Sequence, residues 1–213
     1  TGGQLFMYMS KRGALPRRHA QFYVATLILI LEHLHDNGIV YRDLKPENIM
    51  LDAQGYLKLV DFGLAKKLDP RTMRTFSMVG TLYYLAPELI KGSGYGTSAD
   101  IWSLGVLFYE MIVGRLPYGD GKKSESDIVL SVLEDTLMFP GKFADHTGKK
   151  LIQALLHRRP ENRLGIKGWD DVKRNKYFRA GVSGDLFSLI AGRGLPAPVL
   201  PSEEVYPPEA SLK

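Results

Sequence analysis

Hydrophobic residues recur at helical spacing between Pro16 and His35, where Phe22, Ala25 and Leu29 share a stripe with Ile28 and Leu31, so a helix is expected there. Pro16 suits its first turn, and Asn37-Gly38 suits its end. The pattern then changes. Ile49-Met50-Leu51 and Tyr56-Leu57-Lys58-Leu59-Val60 flank Asp52-Ala53-Gln54-Gly55, which has turn chemistry, and together they predict a β-hairpin. Residues 61–98 are rich in Gly, Pro, Ser and Thr and predict an extended loop. A strongly apolar helix is expected over about residues 100–113, with shorter amphipathic helices near 124–135, 148–157 and 169–177. Leu5-Phe6 and Tyr8-Met9 form short apolar clusters before a turn-like Lys11-Arg12-Gly13. From Arg193 the chain holds five prolines and should be extended, either wrapped on the surface or disordered. Gly92, Gly94 and Gly96 lack the preceding strand and following lysine of a phosphate loop, so they read as a flexible connector.

A chain of 213 residues is long enough for one well-filled core, and 45% hydrophobic with 24% charged residues is ordinary for a globular protein. The absence of cysteine excludes disulfides, zinc–thiolate sites and a cysteine nucleophile. It suits a reducing compartment, and a cytoplasmic location is the expectation. The net charge of +5 is scattered in short groups such as Arg17-Arg18, Lys66-Lys67 and Lys149-Lys150, which reads as solvated surface and not as a nucleic-acid face. No membrane span is expected. The apolar stretch from Val24 to Leu31 is only eight residues long, and the one from Ile101 to Val113 is interrupted by Ser103 and Glu110. Both fall short of the roughly 18 residues a spanning helix needs. Thr1 at the first position, with no signal pattern after it, reads as a cut inside a longer chain.

The hairpin makes a geometric statement about chemistry. In an antiparallel pair the start of the first strand lies beside the end of the second. Asn48 precedes the first strand and Asp61 follows the second, so both belong at one end of the hairpin. Asp43 and Lys45 lie in the segment that feeds the first strand. Two carboxylates, a carboxamide and an ammonium therefore converge. Such oxygen donors suit Mg²⁺ completed by substrate phosphates, and the lysine would neutralise phosphate charge.

Tyr41-Arg42-Asp43-Leu44-Lys45-Pro46-Glu47-Asn48 resembles the catalytic loop of eukaryotic protein kinases. Asp61-Phe62-Gly63 resembles their metal-binding tripeptide, and Ala86-Pro87-Glu88 resembles the close of their activation segment. Tyr41 in place of histidine, the run Leu85-Ala86-Pro87-Glu88, Asp100 with Trp102 and Leu195-Pro196-Ala197-Pro198 are similar to the AGC group. His19-Ala20-Gln21-Phe22-Tyr23 and Gly55-Tyr56 add a likeness to cyclic-nucleotide-dependent kinases.

The resemblance implies a mainly α fold, the C-terminal lobe of the α+β kinase fold. Residues 1–178 would form that lobe, residues 179–213 an AGC-type tail, and the short hairpin would carry the catalytic and metal residues. It implies ATP and Mg²⁺ as cofactors. Asp43 would take the proton of a substrate hydroxyl, Lys45 would stabilise the transferring phosphate, and Asn48 and Asp61 would hold Mg²⁺. Glu47 lies among the nucleotide-side residues, Met50 would pack under adenine, and Thr81 would bond near Asp43 and Lys45, as in Ser/Thr-directed kinases. Ser77 would be the activation-loop phosphosite, with Arg42 and Lys66 as cationic partners. Glu88 and Arg163 would form a buried ion pair.

Protein substrates with basic residues before the target are implied, and a cyclic-nucleotide-binding regulatory domain or subunit as partner. Glu47 and Glu110 would read an arginine two residues before the target, while Met78, Leu82 and Leu85 would line an apolar pocket for the residue after it. Gln4, where these kinases carry glutamate, cannot offer a charge-assisted contact to a further arginine. The glycine-rich loop, its strand lysine and the helix glutamate of a kinase occur nowhere in the sequence, so these residues alone should bind ATP weakly and transfer little phosphate. The competing expectations are a non-catalytic, pseudokinase-like interaction module and a metal-dependent phosphoesterase. The latter leaves Arg42 with Ser77 and Ala86-Pro87-Glu88 unexplained.

Overall fold

The computed structural model describes residues 3–201. Gly2, beside Gly3 and Gln4 in the sequence, and Pro207 and Pro208 of the tail lie outside the described residues. Helix α1 (Leu5–Arg12) opens the chain and was not expected. Only Leu5 and Met9 of its eight residues are buried, a pattern too short to announce a helix. Helix α2 (Arg17–Asp36) begins after Pro16 and ends at Asn37-Gly38, as its sequence predicts. Ala20 to Ile28 are buried on every face, because α2 runs through the interior.

Strand β1 (Ile39–Val40) follows, then the expected hairpin of β2 (Ile49–Leu51) and β3 (Leu57–Leu59), antiparallel with Ile49 opposite Leu59. Residues 61–98 are mostly irregular, with three exceptions. Strand β4 (Lys66–Lys67) pairs with β1, Leu82–Tyr84 forms a single tight turn, and α3 (Pro87–Ile90) starts on a proline at its first position. The glycine connector is open at Gly92, where nothing lies within 4 Å of a built Cβ, and packed further on. Thr75 bridges Tyr95, and a Cβ on Gly94 would meet the Phe76 ring at 2.6 Å. Glycine is needed there for approach.

Helix α4 (Ser98–Val113) is the central pillar, buried from Ser98 through Tyr109. It stops at Gly114, whose left-handed φ of 81° is a helix-terminating conformation. Its Gly105 lets α6 come close, since a Cβ there would meet Leu156 at 2.9 Å. Helices α5 (Glu125–Glu134) and α6 (His146–Leu155) are capped by Ser124 and Asp145. The helix expected near 169–177 is two, α7 (Trp169–Lys173) and α8 (Lys176–Arg179), because the Asn175 side chain caps the second by accepting from the Tyr177 N–H. Helix α9 (Leu186–Ala191), also not expected, buries Leu186, Phe187 and Ile190 and packs on α2.

Two long-range locks hold these elements. The Glu88 carboxylate accepts from Arg163 at 2.7 and 3.0 Å, and both side chains are essentially buried. Arg163 also donates to the carbonyls of Ser98 and His157, so the pair is fully bonded, as a buried pair must be. At the hairpin turn, Arg193 pairs with Asp52 at 2.7 Å and lies 4.8 Å above the Tyr56 ring. The Tyr56 hydroxyl donates to the Leu195 carbonyl at 2.6 Å. Up to residue 201 the tail is therefore wrapped and not loose.

Gly55 sits under that tail with φ +80°, and a Cβ on it would lie 2.1 Å from the Val199 carbonyl oxygen. Gly55→Ala is expected to lift the tail without unfolding the core. Limited trypsin digestion should cut after Arg193 faster in the variant, with the cooperative melting of the helices retained.

Candidate active site

The buried carboxylate of Asp100, at the start of α4, organises the approach to the site. It accepts from the backbone N–H of Tyr41 and of Arg42, each at 2.8 Å, and from His35 Nε2 at 2.8 Å. These bonds hold Arg42 at φ 75°, left-handed backbone that a non-glycine residue rarely adopts. The chain turns sharply there and presents Asp43. The Tyr41 hydroxyl crosses to the Val60 carbonyl at 2.5 Å, and its ring meets Phe62 edge-on at 5.4 Å. Burial, then the nearby Asp43 carboxylate, push the Tyr41 phenol well above its usual pKa, so it stays a hydrogen-bond donor.

Asp43 is the hub. Its carboxylate accepts from Asn48 Nδ2, from Thr81 Oγ1 and from Lys45 Nζ, each at 2.8 Å. Lys45 also donates to Thr81 at 2.8 Å. Thus Asp43, Lys45, Asn48 and Thr81 meet, although Thr81 lies 38 residues downstream of Asp43. Asn48 and Asp61 lie at one end of the hairpin: the Val60 N–H donates to the Asn48 carbonyl at 2.9 Å, one residue before Asp61. Asn48 and Asp61 flank the strands, Met50 is half-buried within β2, and Asp43 and Lys45 belong to the preceding loop. Among the predicted site residues, the hairpin strands themselves contribute only Met50.

The donor set fits a hard cation. Asn48 commits its amide N–H groups to Asp43, which turns its side-chain oxygen elsewhere. Asp61, at φ 55°, accepts the Gly63 N–H at 3.1 Å with one carboxylate oxygen, and its side chain is exposed. Among the described residues no group of three or more His, Asp or Glu side chains could hold a metal. Two protein oxygens supplemented by phosphate are what Mg²⁺ chemistry accepts.

The segment from Leu64 to Ser77 returns to the same loop. Arg42 donates from Nη1 to Ser77 Oγ at 2.7 Å and from Nε to the Leu64 carbonyl at 2.5 Å. Lys66 bonds Thr75 Oγ1 at 3.0 Å, with Thr75 Oγ1 3.4 Å from Ser77 Oγ. Lys66 therefore reaches Ser77 only through Thr75. Of the apolar trio, Met78 is 59% exposed, Leu82 is half-buried and Leu85 is buried. Leu85 also packs close to Gly80, where a Cβ would meet its Cδ2 at 2.9 Å.

On the acidic side, Tyr84 donates to Glu110 at 2.6 Å. Burial raises the Glu110 pKa, and the neighbouring Glu47 carboxylate raises it further. Tyr84 is itself raised by burial and then by Glu110. Gln4 forms an isolated backbone bridge with Met50. Sequence reasoning missed Thr75, Tyr84, Tyr95 and the role of His35. Asp100 alone carried a signal, as a carboxylate at the head of an apolar helix needs buried donors.

The protein kinase domain model matches residues 1–178. A cGMP-dependent protein kinase of Toxoplasma gondii is 45% identical over 209 residues, covering 97% of this chain and 20% of that protein. One of Plasmodium berghei is 45% identical over 215 residues, covering 100% of this chain and 24% of that protein. Human ribosomal protein S6 kinase alpha-2 is 44% identical over 179 residues, 83% of this chain and 24% of that protein. The chain thus belongs to the protein kinase domain family. It spans about a fifth to a quarter of the length of these relatives. The likeness to cGMP-dependent and S6 kinases agrees with the cyclic-nucleotide-dependent, AGC-type resemblance of the motifs.

Glu110 makes stability depend on pH in a defined direction. Its folded pKa lies above the ordinary 4.5, so the folded state holds the proton longer than the unfolded chain does. Its contribution is full below pH 4.5 and is lost as pH rises through the raised folded value. Glu110→Gln should gain stability relative to the parent as pH climbs through that window. Urea midpoints for both proteins at several pH values check the sign.

Proposed function

We propose that this chain supplies the catalytic lobe of a serine/threonine protein kinase that moves the γ-phosphate of ATP to a hydroxyl of a basic protein substrate. The convergence of Asn48, Lys45 and Thr81 on the Asp43 carboxylate is the observation that carries it. Asp43 would accept the proton of the incoming hydroxyl as its oxygen forms the new P–O bond and ADP departs. Lys45 would move from Asp43 to the transferring phosphate and offset its charge. Thr81 keeps the Asp43 carboxylate oriented and favours an aliphatic hydroxyl. Asn48 and Asp61 would hold Mg²⁺, which when bound neutralises charge on the nucleotide phosphates. Met50 would pack against adenine, and Glu47 belongs to the nucleotide side of the cleft. Glu47 with Glu110 would receive an arginine two residues before the target.

Ser77 would act as the phosphosite that Arg42 reads, with Lys66 close enough through Thr75 to add a second cation. Residues 1–178 would form the lobe and residues 179–213 the tail. The relatives' names support control by a cyclic nucleotide through a regulatory domain or subunit. A cytoplasmic site of action is part of this reading, and the cysteine-free composition is compatible with it.

Because no glycine-rich phosphate loop or its lysine occurs in these 213 residues, they should transfer little phosphate by themselves. The test is transfer of radiolabelled phosphate to an arginine-containing serine peptide, comparing the chain alone with the chain joined to a kinase N-terminal lobe. Activity should appear only in the joined protein. There Asp43→Asn should reduce kcat by roughly 10²–10⁴-fold. Full activity of that variant would remove the proton-accepting role, and no transfer by the joined parent would favour an interaction module. In the same assay Ser77→Ala should lower activity and abolish the gain produced when an activating kinase phosphorylates the loop; an unchanged rate and gain would remove the switch.

A further inference from the structure

Asp100 receives one of its three hydrogen bonds from His35, and His35 has a second partner far along the chain. The indole N–H of Trp169, in α7, donates to His35 Nδ1 at 3.3 Å across 134 residues of sequence. The two rings lie against each other with centroids 5.4 Å apart. The side chain of His35 is 8% exposed, that of Asp100 is fully buried, and Trp169 is 5% exposed, so water does not compete for these groups.

An indole nitrogen can only donate a hydrogen bond. Nδ1 of His35 must therefore offer a lone pair, which places the ring proton on Nε2, facing the Asp100 carboxylate at 2.8 Å. With the proton on Nδ1 instead, two N–H groups would confront each other at Trp169 and two lone-pair sites would confront each other at Asp100. Trp169 thus selects the tautomer that can bond Asp100. Asp100 in turn fixes the N–H groups of Tyr41 and Arg42, at the left-handed residue that aims Asp43.

We infer that Trp169 and His35 are positioning residues for the catalytic loop, acting through Asp100 by setting which imidazole nitrogen carries the proton. The inference rests on the proposed kinase reading for its functional meaning, but its geometry is independent of phosphate transfer.

The test uses the chain as it stands. Nitrogen-15 spectra of the imidazoles should show His35 with Nδ1 unprotonated and Nε2 protonated. Trp169→Phe keeps an aromatic ring and removes only the donor. It should mix the two tautomers and speed hydrogen exchange at the Tyr41 and Arg42 amides by roughly threefold to tenfold, the worth of one buried hydrogen bond. Amides within α4, such as Leu104 and Phe108, should keep their protection.

His35→Gln supplies an amide donor to Asp100 that needs no tautomer choice. In that background Trp169→Phe should leave Tyr41 and Arg42 unaffected, whereas a purely packing role for the indole would loosen them equally in both backgrounds. A proton found on Nδ1, unchanged exchange in Trp169→Phe, or equal loosening in both backgrounds would overturn the inference. With these spectra as expected, absence of phosphate transfer by the chain joined to a kinase N-terminal lobe would count against the kinase reading alone.

Discussion

A carboxylate with no exposed surface, Asp100, is the constraint on which the site depends. A charge in that position is tolerable only with donors on both oxygens, and the donors come from the end of α2 and from the loop after β1. Because α4 is the most buried helix of the core, the carboxylate at its head is fixed by packing. The loop inherits that rigidity. Its left-handed backbone at Arg42 is uphill by itself and persists because two N–H groups have nowhere else to bond.

From that anchor the remaining geometry follows by short steps. Asp43 gathers Lys45 and Asn48 from its own loop and Thr81 from 38 residues downstream. Arg42 faces the other way and ties the same segment through Ser77 and Leu64. One dipeptide thus ties together the carboxylate proposed as proton acceptor and the loop proposed to regulate it. Any change that moves Asp100 is felt at both places at once.

The legibility of this arrangement in the sequence was uneven for physical reasons. The hairpin was readable because its apolar runs and turn chemistry are local. With it came the proximity of Asn48 to Asp61, since pairing forces it. Helices α2 and α4 were readable because many periodic positions are buried. Helix α1 buries only Leu5 and Met9, α9 is six residues long, and the split at Asn175 depends on a side-chain cap; each signal is short beside the window that periodicity needs. The contacts of Thr81, Trp169 and Arg193 were not readable from spacing, because tertiary packing brings them from far along the chain. Motif resemblance pointed to Thr81, but neither spacing nor resemblance pointed to Trp169.

The clasp of Arg193 and Leu195 on the hairpin turn bears on how the molecule comes into being. The hairpin itself closes within a few residues, but Asp52 and Arg193 are 141 positions apart. At ribosomal speeds of about 5–20 residues per second, the clasp arrives roughly 7–30 s after the turn it grips has emerged. During that interval the nascent strands have neither the arginine nor the tail carbonyl to brace them. Synthesis order therefore makes a segment translated 141 residues later the fastener of the hairpin.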